Sequence, residues 1–402
     1  MSGDNIMLGG RLRQARRMAN LTLEAFAKLL TEHGHAITKQ ALSKYENEDS
    51  TPPAKVLLLA AQLLGVPNSY FVHKPKSPVS WLGFRRHTAL SDADEATLKA
   101  YANDIAELQI ELQTLLYPNT SIDLPAPSRV DSVDDAERVA AGLRAHWELD
   151  RHPIGNLVQM AEAHQVIVIG WSQNTDSFDG LSGWCENYPV TVVKTGVPPD
   201  RLRFTLAHEL GHLLMETDHL DDDTAESLVN RFAASLLVPP ENARHELGNK
   251  RTRLDWDELG ILKRKYGLSM AGWIRRASDL DIITAHHAKQ LQAEMRQKRW
   301  LREEPVGYNE DESPLKLDQM AHRATAESLM SADRIRSVYP KWSEREQATS
   351  PAGRFTIYDL MALPQDEQQR VMAEAFALAA HEEFETFEDT LDMDFTDAAF
   401  TS

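Results

Sequence analysis

The sequence predicts a mainly α-helical protein with one small β-sheet. Apolar residues recur at helical spacing through most of the readable segments, beginning with GRLRQARRMANLTLEAFAKLL. β-branched runs are confined to one region, where VIVIGW reads as a strand and GLSGWCENYPVTVVKTG as a hairpin or paired strands. The length of 402 residues is enough for two or three domains, each with its own core.

Composition narrows the class. Hydrophobic residues make up 42% and charged residues 26%, ordinary values for a soluble globular protein. The single cysteine, Cys185, excludes an intramolecular disulfide framework and a multi-cysteine zinc site, and fits a reducing cytoplasm. MSGDNIMLGG lacks the charged start and apolar core of a signal peptide, and no apolar run approaches the ~20 residues of a membrane span. A cytoplasmic protein without a membrane partner is expected. The net charge of −18 argues against nucleic-acid binding over the whole surface. Residues 1–75 nevertheless hold nine Lys/Arg against six Asp/Glu, a mildly basic module on an acidic chain.

In that module Leu12 and Ala15 mark a first helix that also carries Arg11, Arg13, Arg16 and Arg17. Thr22 caps a second, with Phe26, Leu29 and Leu30 on one face. The turn TEHGHA follows. Thr38 is then a natural cap for a helix that turns Ala41, Leu42 and Tyr45 inward and Lys39, Gln40, Ser43 and Lys44 outward. AKVLLLAAQLLGV closes the module and stops at Gly65. Helix, turn and a polar-faced second helix form a helix-turn-helix. Gln40 can read adenine, and Lys39 and Lys44 can reach guanine or phosphate, with Thr38 and Ser43 beside them. Through RLRQAR, LTLEAFAKLL, LSKYENE and LLLAAQLLGV the segment resembles the XRE (lambda-repressor-like) family. That resemblance implies a double-stranded DNA operator as partner and a homodimer reading two half-sites.

HKPKSPVSWLGFR reads as a linker. DADEATLKAYANDIAELQIELQTLL is then a long amphipathic helix with Leu98, Tyr101, Ile105, Leu108, Leu112 and Leu115 on its apolar face, for packing on a neighbouring domain or for dimerisation. YPNTSIDLPAPSRVDS marks a boundary.

From about residue 134 two helices, the second capped at Gly155–Asn156, precede the strands. PPDRLRFTLAHELGHLLMETD follows, its prolines setting the entry to a helix. Helices, a small sheet and then this helix are the common frame of zincin peptidases. Leu206, Leu210, Leu213 and Leu214 form a stripe to be buried, while His208 and His212, four residues apart, share another face and can share one metal ion. Glu209 is the only charged residue from Thr205 to Met215, and it is placed to take a proton from water at such a metal. A catalytic zinc site needs a third protein ligand. His219, Asp218 and Glu226 are the candidates. Glu226 is favoured because DDDTAESLVNRFAASLLVPPE reads as a second helix that can face the pair, with Asn230 on the same face and Val229, Phe232, Ala233 and Leu236 buried; Asp218 is the runner-up. The strand region 182–193 is open to strand addition by an extended substrate, or is an internal hairpin.

AHELGHLLM with ESLVNRFAASLLVPPE resembles the ImmA/IrrE family of metallopeptidases, and LKRKYGLSMAGWIRRASDLDII is similar to that family's helical extension. The resemblance implies a zincin-like α+β domain with a gluzincin-like site: His208, His212 and Glu226 on Zn2+, and Glu209 as general base. Members typically cleave XRE-type repressors in stress, phage or mobile-element responses. Fusions of the two modules also occur as regulators or as antitoxins beside a toxin.

The expected division is therefore a helix-turn-helix domain over 1–75, a helical linker over 76–133, a metallopeptidase domain over 134–300, and a helical extension over 301–402 ending in an acidic tail. Phe376, Leu378 and Phe384 lie on an expected helix of that extension. The expected function is a DNA-binding transcriptional regulator carrying a zinc endopeptidase that cleaves a regulatory protein. Its rival is a non-proteolytic regulator or antitoxin whose metal domain binds or senses a partner. The intact His208, Glu209 and His212 favour the enzyme.

Overall fold

The computed structural model describes residues 8–342 except 20, 73–76, 83–89, 173–177, 302 and 341. The described residues form one compact unit. The helix expected around Phe376, Leu378 and Phe384 and the acidic tail at 381–402 lie outside the described residues.

Four helices open the chain: α1 (Leu8–Met18), α2 (Leu23–Glu32), α3 (Lys39–Glu46) and α4 (Ala54–Leu64). Thr22 and Thr38 accept the backbone N–H of Ala25 and Ala41, each satisfying a free donor at a helix start. Gly65 ends α4 at φ 67°, a left-handed conformation that favours glycine. Leu12, Phe26, Leu30 and Leu42 are fully buried in the shared core of this module.

A short 3-10 turn (Asn68–Val72) and strand β1 (Ser80–Leu82) lead to α5 (Asp92–Leu116), capped by Ser91. The apolar face of α5 packs on the sheet rather than standing free. Leu98, Tyr101, Ile105, Leu108 and Leu112 are buried, whereas Leu115, expected with them, is 43% exposed. It falls in the last turn, at the end of the packed stripe.

There follow β2 (Ser128–Arg129), α6 (Val133–His146), α7 (Leu157–Ala163), β3 (Ile167–Trp171), β4 (Gly180–Cys185), β5 (Tyr188–Lys194), α8 (Pro199–Leu214), β6 (Met215–Glu216) and α9 (Asp222–Leu237). Asn156 caps α7 and Asp221 caps α9. The main sheet has the order β1-β4-β5-β3; β4 is antiparallel to β1 and β5, and β3 is parallel to β5. Along β3, Ile167 and Ile169 point into one apolar cluster with α5, and Val168 into another with α8. Burial on both faces explains why VIVI is a continuous apolar run without polar alternation. β2 pairs in parallel with β6, a contact of two residues that the sequence does not announce.

The chain continues through α10 (Pro240–Leu247), α11 (Trp256–Tyr266), α12 (Met270–Asp279), α13 (Ala285–Gln297), α14 (Lys316–Ala326) and α15 (Ala332–Arg336). Between α13 and α14 the segment 303–315 returns across the molecule, held by two buried carboxylates. Glu304 accepts the backbone N–H groups of Met270 and Ala271 at the start of α12, at 2.9 and 3.0 Å. Glu312 does the same for Leu157 and Val158 at the start of α7, and pairs with the fully buried Arg203. No helix among the described residues is long and apolar enough to cross a membrane.

Candidate metal centre

Helix α8 is entered at Pro198–Pro199 and buries Leu206, Leu210, Leu213 and Leu214. Each such side chain contributes roughly 1.5–3 kcal/mol, so the stripe sets the rotation of the helix. That rotation turns His208 and His212 toward α9, with ring centroids 4.8 Å apart. Their Nε2 atoms are 3.1 Å apart. Helix α9 buries Val229, Phe232, Ala233 and Leu236, and so brings Glu226 against the pair. Its carboxylate lies 3.3 Å from His208 Nε2 and 3.5 Å from His212 Nε2.

The two helices come this close at Gly211. A Cβ there would meet Phe232 Cδ1 at 2.9 Å and Val229 Cγ1 at 3.1 Å. Glycine at the fourth position of HELGH therefore has a packing role that the histidine spacing alone does not reveal.

Among the described residues, His208, His212 and Glu226 are the group of metal-ligating side chains whose donor atoms converge, all within 4.8 Å of one another. His219 is placed elsewhere, its Nε2 2.7 Å from Asp131. Asp218 is exposed and is not in the convergent group.

The donor set fits a zinc ion. Ligands at about 2.0–2.1 Å around a tetrahedral centre lie about 3.3 Å from each other, and the separations here are 3.1, 3.3 and 3.5 Å. Imidazole lone pairs and carboxylate oxygens at such distances repel one another unless a cation, proton or metal, stands between them. Burial pushes the His208 imidazole down, but the Glu226 carboxylate and nearby Glu209 outweigh it and leave His208 above its usual value.

Glu209 is buried on the flank of the helix that faces β4. Burial pushes its carboxyl up to about 7, against a downward pull from His208 and Ser182. Strand β4 lies directly against it: a Cβ on Gly180 would be 2.6 Å from Glu209 Oε1. Gly180 is a neighbour of the site that the sequence pattern did not single out, and Ser182 entered the sequence reading only as the start of a strand, because the β4–α8 contact is not local.

The strand-addition reading of 182–193 is corrected in part. β5 is paired on both sides, and β1 takes the outer edge of β4 from Ser182 to Trp184. A cleft of about 600 Å³ opens instead beside Glu226, lined also by Asn230, Phe204, Leu268 and Arg275.

In the N-terminal module Thr38, Lys39, Gln40 and Lys44 are exposed and Ser43 is half-buried. The four arginines of α1 are turned inward. Arg11 pairs with Asp104 of α5, joined by Gln14, and Arg17 pairs with Asp94. Arg16 holds Glu46 through bonds of 2.6 and 2.7 Å, and Arg13 donates to the Glu46 carbonyl at 2.7 Å. The basic excess is thereby spent inside the protein. Lys28, Lys39, Lys44 and Lys55 are exposed, with Lys28 3.8 Å from Glu32 and Lys39 3.9 Å from Glu24.

Residues 9–77 match the family described as a helix-turn-helix domain, and residues 161–278 match the IrrE N-terminal-like domain. The chain is an XRE-type helix-turn-helix module fused to an IrrE-like domain. Among curated proteins, none matches it. The IrrE-like match contains His208, Glu209, His212, Glu226 and Asn230, and it belongs to a metallopeptidase family. The two domains support a DNA-binding regulator with a peptidase-family domain.

Proposed function

We propose that the IrrE-like domain is a zinc endopeptidase and that the chain is a cytoplasmic transcriptional regulator which cleaves a regulatory protein, an XRE-type repressor in particular. The observation that carries this reading is the convergence of His208, His212 and Glu226 with Glu209 beside them. In this reading residues 1–75 contact the operator, through Thr38, Lys39, Gln40, Ser43 and Lys44, as a homodimer. Residues 76–133 link that module to the peptidase at 134–300, and 301–402 is an extension.

Zinc, when bound, supplies Lewis-acid polarisation of a peptide carbonyl. The remaining chemistry belongs to the chain. His208, His212 and Glu226 would hold the ion. Glu209 holds and moves a proton, taking it from water and returning it to the leaving amine. Its burial against β4 keeps bulk water from the carboxylate.

A second reading has one specific observation in its favour. Because β1 covers the edge of β4 from Ser182 to Trp184, an extended substrate has little edge to join there. A non-proteolytic regulator or antitoxin, binding a toxin or another partner, is compatible with that closure.

Zinc content and cleavage of a proteome-derived peptide library separate the two. The peptidase reading expects one zinc per chain in the wild type, loss of zinc in His208→Ala, and retained zinc with abolished cleavage in Glu209→Gln. Absence of zinc from the wild type at saturating metal overturns the site. Bound zinc with no difference in cleavage between wild type and Glu209→Gln favours the second reading.

A further inference from the structure

We infer that Asn230 is a positioning residue, which holds the His208 imidazole in the tautomer that offers Nε2 to the metal. The inference rests on the zinc reading above and concerns a side chain that is not itself one of the convergent ligands. His208 Nδ1 lies 3.2 Å from Asn230 Oδ1. An amide oxygen only accepts, so Nδ1 carries the hydrogen and donates it. A neutral imidazole has a single N–H; its Nε2 is then a bare lone pair. That atom is the one that lies 3.1 Å from His212 Nε2 and 3.3 Å from Glu226 Oε2. With an ion held at the near side of the ring, ligation there and the bond at the far side require the same tautomer.

The placement follows from helix geometry. Glu226 and Asn230 are four residues apart on α9 and share one face, so the helix that brings the carboxylate to the pair also brings the acceptor behind His208. Asn230 is exposed and lines the cleft beside the trio, and it contributes nothing to the buried face of α9. Its removal therefore takes away the bond while leaving the helix packing intact. A ring without that acceptor can place its hydrogen on either nitrogen, and half of those states present N–H rather than a lone pair to the ion. Partners behind a metal-ligating histidine typically change metal affinity by about 10–100-fold when removed.

The test uses the full chain and two readouts. The first is NMR of the imidazole N–H groups in zinc-loaded protein, where the near nitrogen of His208 is taken by the ion and the hydrogen on Nδ1 is either held by an acceptor or exchanges freely with water. The wild type is expected to show a slowly exchanging His208 Nδ1–H, and Asn230→Ala to lose that protection. The second is zinc affinity by competition with a chelator. Asn230→Ala is expected to bind about 10–100-fold more weakly, and Asn230→Asp, which keeps an acceptor, to stay close to the wild type. Thermal melting of the metal-free variants confirms that the fold is retained. A His208 Nδ1–H that exchanges equally fast in the wild type and in Asn230→Ala, or an Asn230→Ala affinity within twofold of the wild type, overturns the inference. If the wild type binds no zinc at saturating metal, the zinc reading fails; zinc bound with an affinity that does not depend on Asn230 overturns the positioning role alone.

Discussion

Replacing Gly211 by alanine puts a methyl group into the closest contact between the two helices of the site. The new Cβ would stand 2.9 Å from Phe232 Cδ1 and 3.1 Å from Val229 Cγ1. Ordinary carbon–carbon contacts lie near 3.5–4.0 Å, so α8 and α9 must separate by about 0.5–1 Å. Both neighbours are fully buried. Overpacking of this kind costs about 1–3 kcal/mol, offset by about 0.5–1 kcal/mol from removing a glycine from a helix interior. The net effect is a loss of about 0–2.5 kcal/mol. The functional effect is larger. Glu226 lies one turn before Val229 on the displaced helix, and its separations of 3.3 and 3.5 Å from the histidines grow beyond what one ion spans. Built sites tolerate displacements of about 0.5 Å. Zinc affinity by chelator competition should fall at least tenfold, beside a thermal midpoint that is unchanged or lower. A Gly211→Ala variant that melts higher than the wild type and binds zinc equally well would refute the packing argument.

Three further outcomes are expected. Because the α1 arginines are internal, each copy has few cations for phosphate; with Lys39 and Lys44 in contact, the slope of log affinity against log salt should be about −2 per copy, and Lys39→Ala should reduce it by about 1. Fluorescence anisotropy across a salt series measures this, and a slope several units steeper would place other cations at the interface. Arg11→Ala leaves Asp104 buried without its guanidinium and should destabilise by about 3–5 kcal/mol in urea unfolding, whereas Arg11→Met with Asp104→Leu should recover most of the loss. Glu162 is 5% exposed, and burial raises its carboxyl to about 7 in the folded protein. The folded state then binds the proton more tightly than the unfolded state. This contribution is fully present below the ordinary carboxylate range and is lost as pH rises through about 7. Glu162→Gln should therefore gain relative to the wild type by about 2–3 kcal/mol between pH 4.5 and pH 8, measured as the difference in urea stability; a constant difference across that range would contradict the assignment.

Local features were legible in the sequence because their physics is local. Thr22, Thr38 and Asn156 cap the helices they precede, and Gly65 ends α4, since each acts on backbone groups within a few residues. The leucine stripe of α8 and the shared face of His208 and His212 follow from 3.6 residues per turn. The α1 arginines illustrate the limit. As a pattern they read as part of a basic surface, yet Arg11 finds its carboxylate 93 positions away at Asp104. Leu115 carries the right spacing but falls where the packed stripe of α5 ends.

The sequence by itself thus determined the helical class, the helix-turn-helix pattern and the paired histidines with Glu209, because periodicity and capping are properties of neighbouring residues. Only the tertiary structure decided which acid meets the histidines. Asp218 and His219 are nearer in sequence than Glu226, but the α8–α9 contact at Gly211 brings Glu226 to them, while His219 goes to Asp131. The same holds for β1 on the edge of β4 and for Glu304 and Glu312 at distant helix starts. Each depends on elements that meet only after the chain has folded, where packing and desolvation, and not separation along the chain, select the partner.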